Sequence, residues 1–289
     1  MKNLLLIDTN GLIHRCFHAL PPLTGPGGKP VGALYGLSSI LIRILREEKY
    51  DFIAACFDRP EPTFRKEIFD DYKIHRPKAP DELVSQIIEA RNLLGQFQIK
   101  VFEAPGFEAD DLIGGLVEKF KNVPDLKIVI LTGDLDTLQL IDNGQIVVEI
   151  LKKGISETII YDEKAIMERY GVLPNQLSDY KGLVGDVSDN IPGVPGVGPK
   201  TAAPLIQRYG SLEKFFENGK NEKVYKKISE LKEQALLSRN LSIIRRDAPL
   251  DVKEIGDLEY RRFKKENLME YFRGLGFKSL ADRIEKNFN

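Results

Sequence analysis

Nine acidic residues, gathered in five short clusters, constrain this chain more than any other feature. They are Asp8, Asp58, the three acids of Glu108-Ala109-Asp110-Asp111, the pair Asp134 and Asp136, and the pair Asp186 and Asp189. Each cluster falls where the local pattern predicts a strand end, a helix start or a turn. Together they imply one crowded carboxylate site. Two carboxylates about 4 Å apart repel by roughly 4 kcal/mol at an effective dielectric near 20, so a shared pocket requires neutralising cations. Mg²⁺ and Mn²⁺ favour such oxygen donors, and a pair of them can clamp the attacking and leaving oxygens of a phosphodiester.

Alternation along the chain predicts how distant acids could meet. Apolar runs at Leu4–Ile7, Phe52–Phe57, Ile99–Phe102 and Ile128–Leu131 read as strands, interleaved with helical patterns at Val31–Glu48, Pro80–Phe97, Phe107–Lys121 and Leu135–Ile141. This alternation predicts an α/β fold with a mostly parallel central sheet flanked by helices. Ligands of such sheets bind beyond the carboxyl ends of the strands, and there Asp8, Asp58 and Asp134 would converge. From about Pro174 helical patterns dominate. We therefore expect an α/β core over residues 1–173 and a helical region over 174–289. The Gly25–Pro30 stretch reads as a loop.

Charge and composition set the remaining bounds. Net charge is −1, but setting the nine acids aside leaves 34 acidic against 42 basic residues. Outside one acidic pocket the molecule is thus basic, a balance suited to a polyanion. No apolar run approaches the roughly 20 residues that span a bilayer, and the first residues read as a strand, not a signal peptide. Cys16 and Cys56 read as buried free thiols, and His14, His18 and His75 lack a zinc-like spacing. A cytoplasmic location is expected.

Several strings carry more specific chemistry. Glu108, Asp110 and Asp111 open a predicted helix, where acids also favour the helix dipole, so both readings stay open for that run alone. Gly185-Asp186-Val187-Ser188-Asp189-Asn190 suits a turn. The string that follows, Gly193-Val194-Pro195-Gly196-Val197-Gly198-Pro199-Lys200-Thr201, combines close-approach glycines with a proline suited to a first helical position. Its free amides beside Lys200 would cradle a phosphate without reading a base. This is a helix–hairpin–helix pattern, placed at about 183–209. Between Arg59 and Lys78, Arg65, Lys73 and Arg76 alternate with Phe64 and Tyr72, a combination suited to phosphates and unpaired bases. Arg15 is a candidate for stabilising phosphoryl charge.

With these strings in view, the chain resembles, end to end, the 5′→3′ exonuclease domain of bacterial DNA polymerase I, within the flap endonuclease superfamily. The likeness rests on Phe57-Asp58 followed by Phe64-Arg65, on Glu-Ala-Asp-Asp, on Thr-Gly-Asp-Leu-Asp at 132–136, on Gly-Asp-Val-Ser-Asp-Asn-Ile-Pro-Gly at 185–193, and on the Gly276–Leu280 tail. The resemblance implies a PIN/Rossmann-like sheet, a helical arch over about 59–80 and a helix–three-turn–helix gripping duplex. It implies one ion on Asp8, Asp58, Glu108, Asp110 and Asp134, and a second on Asp111, Asp136, Asp186 and Asp189. Mg²⁺ is the implied metal, with Mn²⁺ able to substitute. It places Arg15, Lys73 and Arg76 at the scissile phosphate, and Phe64, Arg65, Tyr72, Gly193, Gly196, Gly198, Lys200 and Thr201 on DNA, with K⁺ at the hairpin carbonyls. Leu135 departs from the Lys often found there in relatives.

The expected function is therefore a structure-specific 5′→3′ exonuclease or flap endonuclease of replication and repair. Its partners would be DNA with a free 5′ end, flap, nick or RNA primer, and a separate DNA polymerase, with the chain a monomer acting alone or as an isolated domain. Two rivals stand beside it. A PIN-like ribonuclease predicts the acids without the hairpin, and a non-catalytic junction-binding protein predicts missing carboxylates.

Overall fold

The sheet follows from two parallel strand pairings made by the first strand. A computed structural model describes residues 1–142, 144–153 and 157–288 of the protein. Strand β1 (Lys2–Asp8) pairs in parallel with β2 (Phe52–Cys56) on one side and β4 (Leu126–Thr132) on the other. Beyond them lie β3 (Lys100–Phe102), β5 (Ile146–Lys153) and β6 (Glu157–Tyr161), giving the order β3-β2-β1-β4-β5-β6. Only the β5–β6 pairing is antiparallel. The mostly parallel sheet read from the sequence is present. Strands β5 and β6 are additions: Glu149 breaks the apolar run of β5, and β6 is short and mostly exposed.

Helices cover both faces, as the alternation of strand side chains requires. Leu5 and Ile7 point into a core built with α1 (Thr9–Ala19), α2 (Gly32–Arg46) and α4 (Asp81–Gln96). Leu4 and Leu6 point the other way, into a core shared with α5 (Ala109–Phe120). That second face also carries α6 (Glu163–Tyr170), α7 (Leu177–Val184), α8 (Pro199–Tyr209), α9 (Leu212–Asn218), α10 (Tyr225–Glu230) and α11 (Lys232–Ser242). The last two helices, α12 (Lys265–Gly274) and α13 (Lys278–Asn287), cross back to the first face and pack on α4 and α2. The helices between residues 174 and 288 are therefore split between the two sides of the sheet. Their apolar stripes are complementary to opposite faces, which composition alone does not reveal.

Two further differences bear on the site. The segment expected to form an arch holds one five-residue helix, α3 (Phe64–Ile68), followed by turns through Arg76. The helix expected over Leu135–Ile141 is a 3₁₀ turn, Leu135–Leu140, begun by Asp134, whose carboxylate accepts from the Asp136 amide at 2.9 Å. Cys16 and Cys56 are buried and unbridged, as expected. Among the described residues no helix is long and apolar enough to cross a membrane.

Helix α5 lies so close to the strap after α11 that Gly114 has no room for a side chain. A Cβ on Gly114 would fall 2.5 Å from the Arg245 carbonyl oxygen and 2.6 Å from Ile244. Gly114→Ala should therefore destabilise the fold by roughly 1–3 kcal/mol, the usual cost of overpacking, read as a lower midpoint in urea unfolding. An unchanged midpoint would mean that the strap is not seated there.

Candidate active site

The carboxyl ends of the central strands open onto one cleft of about 760 Å³. Eight of the nine clustered acids line it: Asp8, Asp58, Glu108, Asp110, Asp134, Asp136, Asp186 and Asp189. Adjacent parallel strands put the first three contributions side by side. Asp8 ends β1, Asp58 stands two residues past Cys56, the partner of Asp8, and Asp134 stands three residues past Leu131, the partner of Ile7. Local hydrogen bonds then set each carboxylate. Asp8 accepts from the Gly11 amide at 3.0 Å and from the Thr132 hydroxyl at 2.6 Å, while that same hydroxyl oxygen accepts from the Asp134 amide at 2.9 Å. Asp58 accepts from the Ala109 amide at 2.7 Å, which ties the end of β2 to the start of α5.

Asp111 is the exception, and its geometry corrects its expected role as a metal ligand. Its carboxylate is fully buried and faces away from the cleft. It receives the Arg65 guanidinium through two bonds of 2.7 and 2.8 Å, the Arg245 amide at 2.8 Å and the Glu108 amide at 3.1 Å. Four donors leave no lone pair for an ion. Arg65, expected on DNA, is corrected with it. It is 1% exposed and also donates to the carbonyls of Leu241 and Ile243 at 2.9 Å each. In sequence the pair is invisible, since only the fold sets α3 against α5.

The arch residues dock on the acids. Lys73 Nζ lies 2.8 Å from Glu108, and Arg76 Nη2 lies 2.5 Å from Asp189. Lys73 has φ of +54°, a left-handed conformation that costs a residue with a side chain on the order of 1 kcal/mol or more. Its amide meanwhile donates to the Asp189 carbonyl at 2.9 Å. Tyr72, expected to stack on a base, is 5% exposed and packs against Ile191 and Leu241. Its hydroxyl sits 3.2 Å from Glu108 and 3.3 Å from Asp189, so the ring anchors the arch to the acidic loop. Phe64 is half-buried against Phe107, between the Arg65 and Arg245 guanidinium groups, and lies outside the cleft lining. Arg15 lines the cleft, and its Nη2 donates to the Lys152 carbonyl at 2.7 Å.

Sequence reasoning missed Lys181 and Gln139. Lys181, on α7, pairs with both Asp136 and Asp186, the latter at 2.7 Å. The available signal was its place five residues before Asp186, on the helix that ends at the acidic turn. Gln139 donates to the carbonyls of Asp136 and Ser242 and accepts from the Ile244 amide, holding the 3₁₀ turn against the end of α11. Tyr170 and Tyr180 also line the cleft, as an edge-to-face pair.

Electrostatics separate the acids into compensated and uncompensated groups. Burial raises Glu108, but Lys73 and Arg65 outweigh it and hold its carboxyl below the usual range. Burial likewise raises Asp186, and Lys181 with Ser188 outweighs it. Asp8 is pushed up to about 6 by burial and by the charge of Asp58, and Asp136 to about 6 by burial and Asp134 despite Lys181. Burial raises Asp58, Asp110 and Asp134 too. Asp110 Oδ1 is buried with no hydrogen-bond partner. Among the described residues no three Asp, Glu, His or Cys side chains converge closely enough to hold a metal ion as they stand. The acids share the cleft while paired to cations or held apart.

The hairpin lies on the helical side, away from the cleft lining. Gly193 and Gly196 have φ of +60° and +72°, Gly198 precedes α8, and Pro199 occupies its first turn. Lys200 is exposed and Thr201 half-exposed beside them. Gly193 is pinned by Ser238 and Gln234 of α11, at 3.0 and 2.6 Å.

Comparison with known proteins agrees with this arrangement. Residues 3–171 match the family model of the 5′-3′ exonuclease N-terminal resolvase-like domain, and residues 172–266 that of the 5′-3′ exonuclease C-terminal SAM fold. A 5′-3′ exonuclease of Aquifex aeolicus is 35% identical over 289 residues, covering 100% of this chain and 97% of that protein. DNA polymerase I of Caldicellulosiruptor bescii is 42% identical over 285 residues, covering 97% of this chain and 33% of that protein. The chain thus spans about a third of the length of the polymerase relatives. Among solved structures, the T5 D15 protein co-crystallised with metal ions matches with a TM-score of 0.68 at 16% identity, covering all of both chains. Human GEN1 in complex with Holliday junction DNA matches at 0.65 and 16%, covering 99% of this chain and 72% of that one. At these identities the two structures support the fold.

The buried Arg65–Asp111 pair is open to direct test. Arg65→Met should cost about 3–5 kcal/mol of stability, because it strands a buried carboxylate. Adding Asp111→Leu should recover only part of that loss, because the Arg245 and Glu108 amides and the Leu241 and Ile243 carbonyls then lose their partners. Denaturant unfolding reads both, and a loss below about 1 kcal/mol for the single change would refute the pairing.

Proposed function

The chain belongs to the 5′-3′ exonuclease family, and from that premise we propose that it cleaves DNA near free 5′ ends, flaps and nicks, and removes RNA primers, by two-ion phosphodiester hydrolysis. The observation that carries this reading is the single cleft in which eight carboxylates, from three strand ends, a helix start, a 3₁₀ turn and a loop, face Lys73, Arg76 and Arg15. An oxygen-only donor set with an unpartnered buried oxygen at Asp110 fits hard divalent ions. The T5 structures that share this fold include one bound to DNA and metal ions, which supports the same chemistry here.

In this reading Asp8, Asp58, Glu108, Asp110 and Asp134 hold one ion and Asp136, Asp186 and Asp189 a second, while Asp111 positions Glu108 from behind. Mg²⁺, with Mn²⁺ able to replace it, supplies positive charge for the pentacoordinate phosphorus and acidifies water when bound. The protein's own part is to orient and to stabilise. Lys73 and Arg76, withdrawn from Glu108 and Asp189 when a phosphate enters, would stabilise the charge that develops on its oxygens, with Arg15 across the cleft. Gly193, Gly196, Gly198, Lys200 and Thr201 would grip duplex through its backbone, with K⁺ on the hairpin carbonyls. A nuclease core over 1–173 and a duplex-holding region over 174–289 divide the work. Relatives that carry this sequence within DNA polymerase I support a polymerase as partner at the same nick.

Two outcomes test this function. Asp134→Ala should lower cleavage of a 5′-labelled flap by about 100-fold or more yet leave duplex affinity within about threefold. Equal loss of both would show that Asp134 is not part of the chemistry. The same flap with Mg²⁺ should yield short 5′ products that vanish with chelator or with a blocked 5′ end.

Proton linkage supplies the second. Asp8 and Asp136 sit near 6 without metal, and a carboxylate must lose its proton to bind an ion. Affinity for Mn²⁺ should therefore rise with pH through about 6 and level off above about 7, falling about tenfold per displaced proton between pH 7 and pH 5. Calorimetric titration at several pH values reads this. Equal affinity at pH 5 and pH 7 would overturn the assignment.

A further inference from the structure

The ammonium of Lys181 lies between two carboxylates from different elements, Asp136 on the 3₁₀ turn after β4 and Asp186 in the loop after α7. Among the described residues it is the one basic side chain paired with either. Asp186 is also fixed by the Ser188 amide and hydroxyl at 2.9 and 2.6 Å, and the Asp136 turn is held by Gln139. Both acids are thus in place before any ion arrives, and a single positive charge bridges them.

Lys73 and Arg76 also rest on carboxylates, those of Glu108 and Asp189, whereas Arg65 is bound differently. Arg65 is locked by two carboxylate bonds and two carbonyl bonds. Lys181 makes two bonds, both to carboxylates, from a flexible stem that lines the open cleft. A lysine head is a compact, strongly hydrated charge that exchanges readily with solvent or another cation, unlike a planar guanidinium held in a fork. A divalent ion entering between Asp136 and Asp186 would meet that ammonium at close range, and like charges there exclude each other.

From this geometry, and resting on the two-ion reading above, we infer that Lys181 is an internal counter-cation that competes with the second divalent ion for Asp136 and Asp186. It holds the two loops together while that ion is absent and is released into the cleft when the ion binds. The second ion is then the weaker of the two by construction, and its arrival frees one positive charge beside the substrate path. Lys181 is a positioning residue in this account.

The test is Mn²⁺ binding to the full chain without DNA, counted from the free-ion paramagnetic resonance signal, for the wild type, Lys181→Met and Lys181→Arg. Removing a competitor that fills its site about nine-tenths of the time tightens the apparent affinity about tenfold. The weaker class should therefore tighten about tenfold in Lys181→Met, the tighter class should stay within about threefold, and Lys181→Arg should bind no more tightly than wild type. A wild type that takes up one ion and a Lys181→Met that takes up two would support the same conclusion.

Melting temperature supplies a readout that a merely structural bridge would not move in this direction. Without metal Lys181→Met should melt below the wild type, and saturating Mn²⁺ should close the gap, since a ligand that binds tighter stabilises more. Should Lys181→Met fail to fold, Lys181→Gln, neutral yet able to donate to both carboxylates, carries the same expectation. An unchanged or weakened second class in the neutral variant overturns the inference while leaving two-ion binding intact. No Mn²⁺ uptake by the wild type overturns the two-ion reading and the inference with it.

Discussion

Repulsion among buried carboxylates is the force around which this molecule is arranged. Parallel pairing of β1 with β2 and β4 delivers Asp8, Asp58 and Asp134 to one edge, and burial there raises the cost of every charge. The protein answers with four cations drawn from three places in the chain. Arg65 comes from α3, Lys73 and Arg76 from the turns after it, and Lys181 from α7. Glu108 is served by both Arg65 and Lys73 and Asp189 by both Lys73 and Arg76, while Lys181 alone serves Asp136 and Asp186 among the described residues. What remains uncompensated, chiefly Asp8, Asp58, Asp110 and Asp134, is where an external positive charge would gain most.

This pairing also explains why the arch lies where it does. Lys73 accepts an unfavourable backbone conformation, and Tyr72 buries its ring, to bring an ammonium and a hydroxyl onto Glu108. A segment poor in aliphatic residues has little hydrophobic reason to pack on the core. Its position rests on these charge contacts and on the small cluster of Tyr72 with Ile191 and Leu241, with Asn190 adding a bond to the Asp71 carbonyl. Such a contact weakens whenever the acids find other partners, which suits a segment that must admit a polyanion.

The sheet and its central strands were legible because buried parallel strands write themselves as continuous apolar runs, as in Leu4–Ile7 and Ile128–Leu131. The acidic cleft was legible for the same reason, since strand ends in such sheets meet. Strands β5 and β6 were not, because Glu149 interrupts the buried run of β5 and the outermost strand, β6, leaves most of its side chains exposed. Nor was the division between Asp110 and Asp111. Both belong to one acidic run, and only the docking of Arg65 and the Arg245 amide turns Asp111 inward. Lys181 shows the same gap: its identity was plain, but its reach depends on how α7 meets the turn after β4. Long-range polar pairs have no periodicity to betray them.

The end of α11 and the strap that leaves it, residues 241–245, tie α3, α5 and the turn after β4 together. Its carbonyls receive Arg65 and Gln139, its Arg245 amide binds Asp111, and its Ile244 amide binds Gln139. The helix before it pins Gly193 of the hairpin. Grafting the helical half of one relative onto the sheet of another would succeed only if the junction carried this short segment with its own partners. The unit of inheritance here is therefore not a domain but a five-residue buckle together with the side chains that fasten to it.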